Sequence, residues 1–329
     1  MIEGWILDVD TNYVDSSIDV WVKTENGIKR EGDYDFRPSF FIHSHRSSEL
    51  GSIQSYLQDM GCIDDLSYES HILGLDGRKK NVLKVSLNDY RSLFKLANKV
   101  DSIGGFRRYE LFNVDIGIPI RYMLEKDIFP LGYSKLNGGF TCLDDIYSID
   151  YRLPPMKGVE LDVEVKKRGK IPTFDDPLLS VSLDGCVLDG GDETDLLTGL
   201  KDLTCKYDPD IIYTDGGDTF ILPYLYHRAE VSESDDFYLG RLRNNTKATS
   251  FGRSYFSYGR VGYRPPRQLL RGRIHIDRTS SFIYAESGLS GVIELSRLSR
   301  IPIQTQARVT PGTSIGAMQI GHALKAISS

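Results

Sequence analysis

Nowhere in the 329 residues does an apolar run approach the roughly 18 residues that a bilayer-spanning helix needs, so no membrane partner is expected. Cysteine is scarce: Cys62, Cys142, Cys186 and Cys205 stand far apart and form no CxxC pair. The expectation is small buried thiols in a reduced, cytoplasmic protein. The opening MIEGWILDVD lacks a basic stretch and carries acids early, so it does not read as a signal peptide. A positive charge balance is also missing. Lys plus Arg number 40 against 46 Asp plus Glu, a net charge of −6, which excludes a globally basic nucleic-acid coat. With 40% apolar residues the chain is too apolar to be disordered, and its length suits two domains.

One absence is local. From Phe237 to Arg273 there is no Asp or Glu, while Arg241, Arg243, Lys247, Arg253, Arg260, Arg264, Arg267, Arg271 and Arg273 make nine cations. The remainder of the chain therefore sums to −15. Arginine forks onto phosphate and stacks on bases. Aromatics interleave with the arginines, Tyr258 and Tyr263 among them. That composition suits a track for single-stranded nucleic acid. The plain rival is a solvated β-hairpin whose rings pack on its own core, and a generic acidic partner is a third reading. The candidate DNA contacts are Arg253, Arg260, Arg264, Arg267, Arg271, Arg273, Tyr258 and Tyr263.

The fold class is α/β in two parts. The first 45 residues alternate as a β-meander, through WILDVD, SIDVWVKT and FRPSFFIH. Helices are expected over 47–60 and in NDYRSLFKLANKV, with the strand NVLKVSL before the latter. This gives an α+β domain over 1–131, followed by a connector over 132–157 rich in Gly, Asp, Tyr and Pro. From 158 to 299 the order strand, strand, strand, helix, strand, helix is that of a ribonuclease-H-like α/β unit, with the basic segment 237–273 inserted. Residues 300–329 form a closing segment.

Asp162 and Glu164 stand at i and i+2 in the strand LDVEV. That spacing puts both on one face, about 6–7 Å apart. Two-metal nucleases use such pairs to hold cations that polarise a phosphate and activate water. The pair alone is a weak signal, since many exposed strands contain it.

The order of these segments resembles the N-terminal and 3′–5′ exonuclease regions of archaeal family B DNA polymerases. WILDVD, FRPSFF and FNVDIGIPIRYMLEKDIFPLG are similar to that family's N-terminal domain, and 300–329 to its return to that domain. LDVEV, DPDIIYTDGGDTFILPYLYHR and SFIYAESGLSGVIELSRLS resemble its three exonuclease motifs. The resemblance implies four metal-binding carboxylates, but Ile221 and Gly288 stand where two of them belong. Asp162 and Glu164 are then a vestige able to hold at most one hydrated Mg²⁺ loosely, and the chain resembles the subgroup whose exonuclease is inactivated. Asp218, with Asp215 before it, is a candidate relocated ligand; its plain reading is a helix N-cap. Pro38 and Arg121 match the family's template-reading pocket, whereas Thr11 and Ser39 replace its aromatics, so uracil sensing is not expected. Asp8, Asp10 and Arg37 read as makers of turn and barrel hydrogen bonds. The palm and fingers motifs of the family (a YxDTD-like pair, SLYPS, Kx₃NSxYG) do not occur in these residues.

The expectation is a DNA-binding N-terminal and exonuclease-like portion of a family B polymerase. Its partners would be single-stranded or primer-template DNA and the polymerase catalytic portion, as a separate chain or a missing C-terminal part, in replication or repair. The rivals are an active 3′–5′ exonuclease with relocated carboxylates and a protein-interaction adaptor.

Overall fold

The computed structural model describes residues 2–73, 77–243, 248–250, 253–257, 260–264 and 267–328, with the side chains of 248–250, 253–257, 260–264 and 325–328 left out. The chain forms two compact units. The first gathers residues 1–129, 133–143 and 316–329, and the second residues 130–132 and 144–315.

The first unit opens with a meander of three antiparallel strands, β1 (Ile2–Asn12), β2 (Ser17–Thr24) and β3 (Gly27–Asp33). A βαββαβ run follows: β4 (Ser39–His43), α1 (Ser47–Leu57), β5 (Ile63–Ile72), β6 (Lys79–Leu87), α2 (Leu93–Ile103) and β7 (Glu110–Phe112). Its strands pair antiparallel in the order β5-β6-β4-β7. One sheet face, with Phe40, Ile42, Leu83 and Val85, packs on Leu50, Ile53 and Leu57 of α1 and Leu93, Leu96 and Val100 of α2. The apolar positions 93, 96, 97 and 100 follow the helical period and turn one stripe of α2 inward. The short helix α3 (Ile118–Glu125) has proline in its first turn, where its missing N–H costs nothing.

One expectation needs correction here, and one strand was not expected. Residues 133–143, read as part of a connector, contain β8 (Tyr133–Leu136) and β9 (Phe140–Cys142), which extend the meander to the order β3-β2-β1-β8-β9. Strand β5 had no apolar signal. It lies at a sheet edge, where polar residues such as Asp64, Asp65 and Glu69 keep an unpaired rim from recruiting another strand.

The second unit is built on a five-stranded mixed sheet. Strands β10 (Gly158–Val165), β11 (Leu178–Leu183) and β12 (Cys186–Asp189) are antiparallel. Helix α4 (Glu193–Tyr207) returns the chain to β13 (Ile211–Thr214), which lies parallel to β10. Asp192 caps α4 through a 2.8 Å bond from the Asp195 N–H to its carboxylate. After α5 (Leu222–Val231), the basic segment forms two antiparallel ribbons, β14 (Ala248–Ser250) with β17 (Arg267–Leu269), and β15 (Arg253–Ser257) with β16 (Arg260–Arg264). Strand β18 (Ile274–Asp277) then adds parallel to β13. Helices α6 (Phe282–Ser299), α7 (Ile303–Gln306) and α8 (Pro311–Ser328) close the chain. The inner sheet face, carrying Val159, Leu161, Val181, Leu183 and Ile212, packs on Leu196, Leu197 and Leu200 of α4 and Leu222 and Leu225 of α5.

Between β13 and α5 the chain makes one wide π-type turn, Gly217–Ile221. Gly217 makes that turn possible. A Cβ there would lie 2.0 Å from the Thr214 Oγ1 and 2.6 Å from the His275 Nε2, two atoms that bond each other at 2.8 Å in the interior. Gly217→Ala should therefore destabilise the fold by about 2 kcal/mol or more. The urea midpoint measures this, and an unchanged midpoint would mean that the turn has room to move.

Candidate functional site

Strand β10 alternates strictly. Val159, Leu161 and Val165 face the core, while Glu160, Asp162 and Glu164 are exposed on the opposite face. The expected carboxylate pair is thus on one solvent-facing surface, and Glu160 extends it to three. A cleft of about 480 Å³ opens over this surface, lined by Asp162, Glu164, Lys167, Asp215, Phe220 and Ile221 among others. The Ser180 hydroxyl donates to Glu164 at 3.2 Å. Asp215, just past β13, brings a fourth carboxylate.

Arg278, just past β18, was not anticipated. Its Nε and Nη2 bond both oxygens of Asp215 at 2.9 and 2.8 Å, and its Nη1 bonds Glu160 at 2.7 Å. These bonds hold the guanidinium even more firmly protonated than usual. The only signal for this clamp in the sequence was the E-x-D-x-E alternation, which shows an acidic face in need of compensation.

A cage for two cations is not assembled here. Ile221 is 4% exposed and belongs to the hydrophobic core. Gly288 breaks α6 with φ 62° and ψ −165°, a conformation open essentially to glycine alone. Among the described residues no group of three or more His, Cys, Asp or Glu is gathered to hold a metal ion. Tyr284 packs on Tyr213, ring centroids 5.8 Å apart.

Asp218 is neither an N-cap nor a relocated ligand. It is 1% exposed and forms a bidentate pair with Arg308, at 2.7 Å to Nε and 2.9 Å to Nη2. It also accepts the Gln268 N–H at 2.8 Å. Arg308 spends its remaining donors on the carbonyls of His275 and Gln304, at 2.9 and 2.7 Å. Asp277 accepts the N–H groups of Gly216, Asp218 and Thr279 at 3.0, 2.9 and 3.0 Å. These and hydroxyl bonds outweigh its desolvation and hold its carboxyl down to about 2. His275 is fully buried beside Arg308, and burial first, then that positive neighbour, lower its pKa to about 4.

The basic segment divides into two roles. Arg273, expected to touch DNA, is 3% exposed and donates to the carbonyls of Pro209, Leu239 and Gly240 and to Asp208. Its charge is consumed in holding loops together, as is that of Arg241, which bonds Asp208, Asp210 and the carbonyl of Gly272. Arg267 and Arg271 are half-buried. Arg253, Arg260, Arg264 and Tyr263 lie on the β15–β16 ribbon, whose backbone alone is described, and Tyr258 lies outside the described residues. In the first unit Pro38 is buried and its carbonyl accepts the Leu87 N–H at 3.0 Å. Arg121 is 5% exposed and donates to the carbonyls of Asn113 and Ile116, so it staples the loop before α3. Burial pulls its pKa down to about 10. Asp8, Asp10 and Arg37 do make local bonds: Asp8 with the Val9 N–H, Asp10 with the Trp21 indole, Arg37 with Asp64 and two nearby carbonyls.

Two outcomes are expected of this network. Asp218→Asn leaves the Arg308 charge buried without its partner and should cost about 3–5 kcal/mol, read by urea unfolding; a loss below about 1 kcal/mol would show that the pair is not structural. The second concerns pH. His275 titrates lower in the fold, at about 4, than in the unfolded chain, at about 6.5. The unfolded state therefore binds the proton first, and stability falls as pH drops from about 6.5 toward 4, by up to about 1.4 kcal/mol per pH unit. His275→Gln should lose that part of the slope. Parallel stability curves for the two proteins would mean that His275 is not held neutral.

A family profile described as DNA polymerase family B, exonuclease domain, matches residues 174–282. A DNA polymerase of Archaeoglobus fulgidus is 25% identical over 250 residues, 70% of this chain and 30% of that protein. A DNA polymerase of Methanocaldococcus jannaschii is 23% identical over 295 residues, 82% of this chain and 16% of that protein. The chain thus spans about a third or less of these relatives. In three dimensions it is similar to the family B DNA polymerase of the hyperthermophilic archaeon Pyrobaculum calidifontis, with a TM-score of 0.73 at 18% identity, covering 98% of this chain and 50% of the other. The chain is therefore similar to archaeal family B DNA polymerases, and its residues 174–282 match the exonuclease-domain profile of that family.

Proposed function

We propose that this chain is a DNA-binding part of a family B DNA polymerase acting in replication or repair, with an acidic cleft that does not cut DNA. The observation that carries the binding half is the register of the β15–β16 ribbon. Arg253 pairs with Arg264, Tyr255 with Gly262 and Ser257 with Arg260. Cross-strand partners share a face, so Arg253, Arg260, Arg264 and Tyr255 fall on one side of a two-stranded ribbon. Like charges placed directly opposite are destabilising. A polyanion laid along that face removes the repulsion, and an aromatic among the arginines adds a platform for a base. Single-stranded or primer-template DNA is the partner this chemistry selects.

The silent half of the reading rests on Ile221 in the core and Gly288 in its special backbone conformation. The family's chemistry would need carboxylates at those places to hold a pair of metal ions. Asp162 and Glu164 remain open to one loosely held hydrated Mg²⁺.

Replacing Arg253, Arg260 and Arg264 together by Ala should lower the slope of log affinity against log salt by about 2 for a single-stranded oligonucleotide, from ~0.7 per phosphate contact. An unchanged slope and affinity would place the DNA elsewhere and leave the ribbon as a solvated hairpin. The unmodified protein should degrade labelled 3′ ends no faster than background in Mg²⁺ or Mn²⁺. Robust degradation that disappears in Asp162→Ala would restore the nuclease reading.

A further inference from the structure

We propose that Arg278 is the fixed counter-ion of the acidic sheet face, standing in for the positive charge that a divalent cation would otherwise bring there. The inference goes beyond DNA binding and does not depend on it.

Glu160, Asp162 and Glu164 occupy successive outward positions on one strand, and Asp215 joins them from the end of the neighbouring strand. Four carboxylates on one face repel one another, and a bound cation or a basic side chain relieves part of that repulsion. Arg278 answers this with three charge-assisted bonds, two to Asp215 and one to Glu160, all between 2.7 and 2.9 Å. The two carboxylates lie on different strands, so the guanidinium ties β10 to β13.

The main chain sets that guanidinium in place. The Arg278 N–H donates to the Thr214 carbonyl at 2.9 Å, one residue before Asp215. The preceding Asp277 is buried and anchored by the turn at 216–218. The side chain therefore starts from a fixed point and reaches its carboxylates without a search. Both oxygens of Asp215 are consumed, which removes it as a metal ligand. A divalent ion would have to displace a bidentate arginine to use it. This fits the mismatch between the residues present and the metal pair that the family resemblance implies: part of the acidic face is neutralised by a side chain.

The test is Mn²⁺ binding to the full chain, read from the electron paramagnetic resonance signal of free Mn²⁺. Arg278→Gln should bind Mn²⁺ about tenfold tighter than the parent, and Mn²⁺ should raise its melting temperature more than the parent's. Arg278→Lys, which keeps the charge, should behave like the parent. Arg278→Gln combined with Asp215→Asn should lose the gain. A folded Arg278→Gln protein with the parent's Mn²⁺ affinity would overturn the proposal. A stability cycle covers the case in which Arg278→Gln folds poorly. In a Glu160→Gln, Asp215→Asn background the same change should cost little, because nothing is left to neutralise. An equal cost in both backgrounds would show that Arg278 acts through packing and not as a counter-ion.

Discussion

The pair between Asp218 and Arg308 is the constraint on which the second unit depends. Both side chains are almost wholly buried, at 1% and 3% exposure. A charge in that position is tolerable only when every donor and acceptor is matched. Arg308 is matched by the Asp218 carboxylate and by carbonyls of β17, β18 and α7, so one guanidinium ties together the π-type turn, the end of the basic segment, the last sheet strand and the closing helices. His275 must be neutral to share that pocket, and Asp277 must be ionised to hold the turn from below. The turn that lines the acidic cleft through Phe220 and Ile221 is therefore held by this buried network.

That network explains why Asp218 was easy to misread. In the sequence it is a carboxylate close to the place where a ligand is wanted, in a turn rich in glycine. Nothing local points to Arg308, which lies 90 residues away. Long-range pairing of buried charges leaves no periodic trace, and the same is true of Arg273. In the sequence it reads as free positive charge, whereas its guanidinium is spent on distant carbonyl oxygens and Asp208. Strand β5 and the 133–143 pair escaped for a different reason: β5 and β9 are edge strands rich in polar residues, and β8 and β9 are only four and three residues long, too short for an alternation to show.

What was legible were the features written in short-range pattern. The meander, α2, the three antiparallel strands of the second unit and the alternation of β10 all follow from apolar periodicity. Asp162 and Glu164 were placed on one face from their spacing alone, and Glu160 and Arg278 then follow only when the sheet is assembled. The β15–β16 ribbon lies between. Its composition marked a basic aromatic segment, but only the register brings Arg253 opposite Arg264 and makes the repulsion specific.

The two charged surfaces of the second unit handle the same problem in opposite ways. On the acidic face Arg278, whose backbone N–H is bonded to Thr214, neutralises part of the charge by pairing with Asp215 and Glu160. On the basic ribbon the backbone register sets Arg253 opposite Arg264. An isolated ribbon of this kind is marginal on its own, and like-charge pairs make it more so. Glu160 and Asp215 are paired with a cation inside the fold, whereas on the ribbon the backbone register sets one arginine position opposite another. Under the proposed function the ribbon is the binding surface and the carboxylates are structural, the reverse of what the DxE pair, taken alone, would suggest.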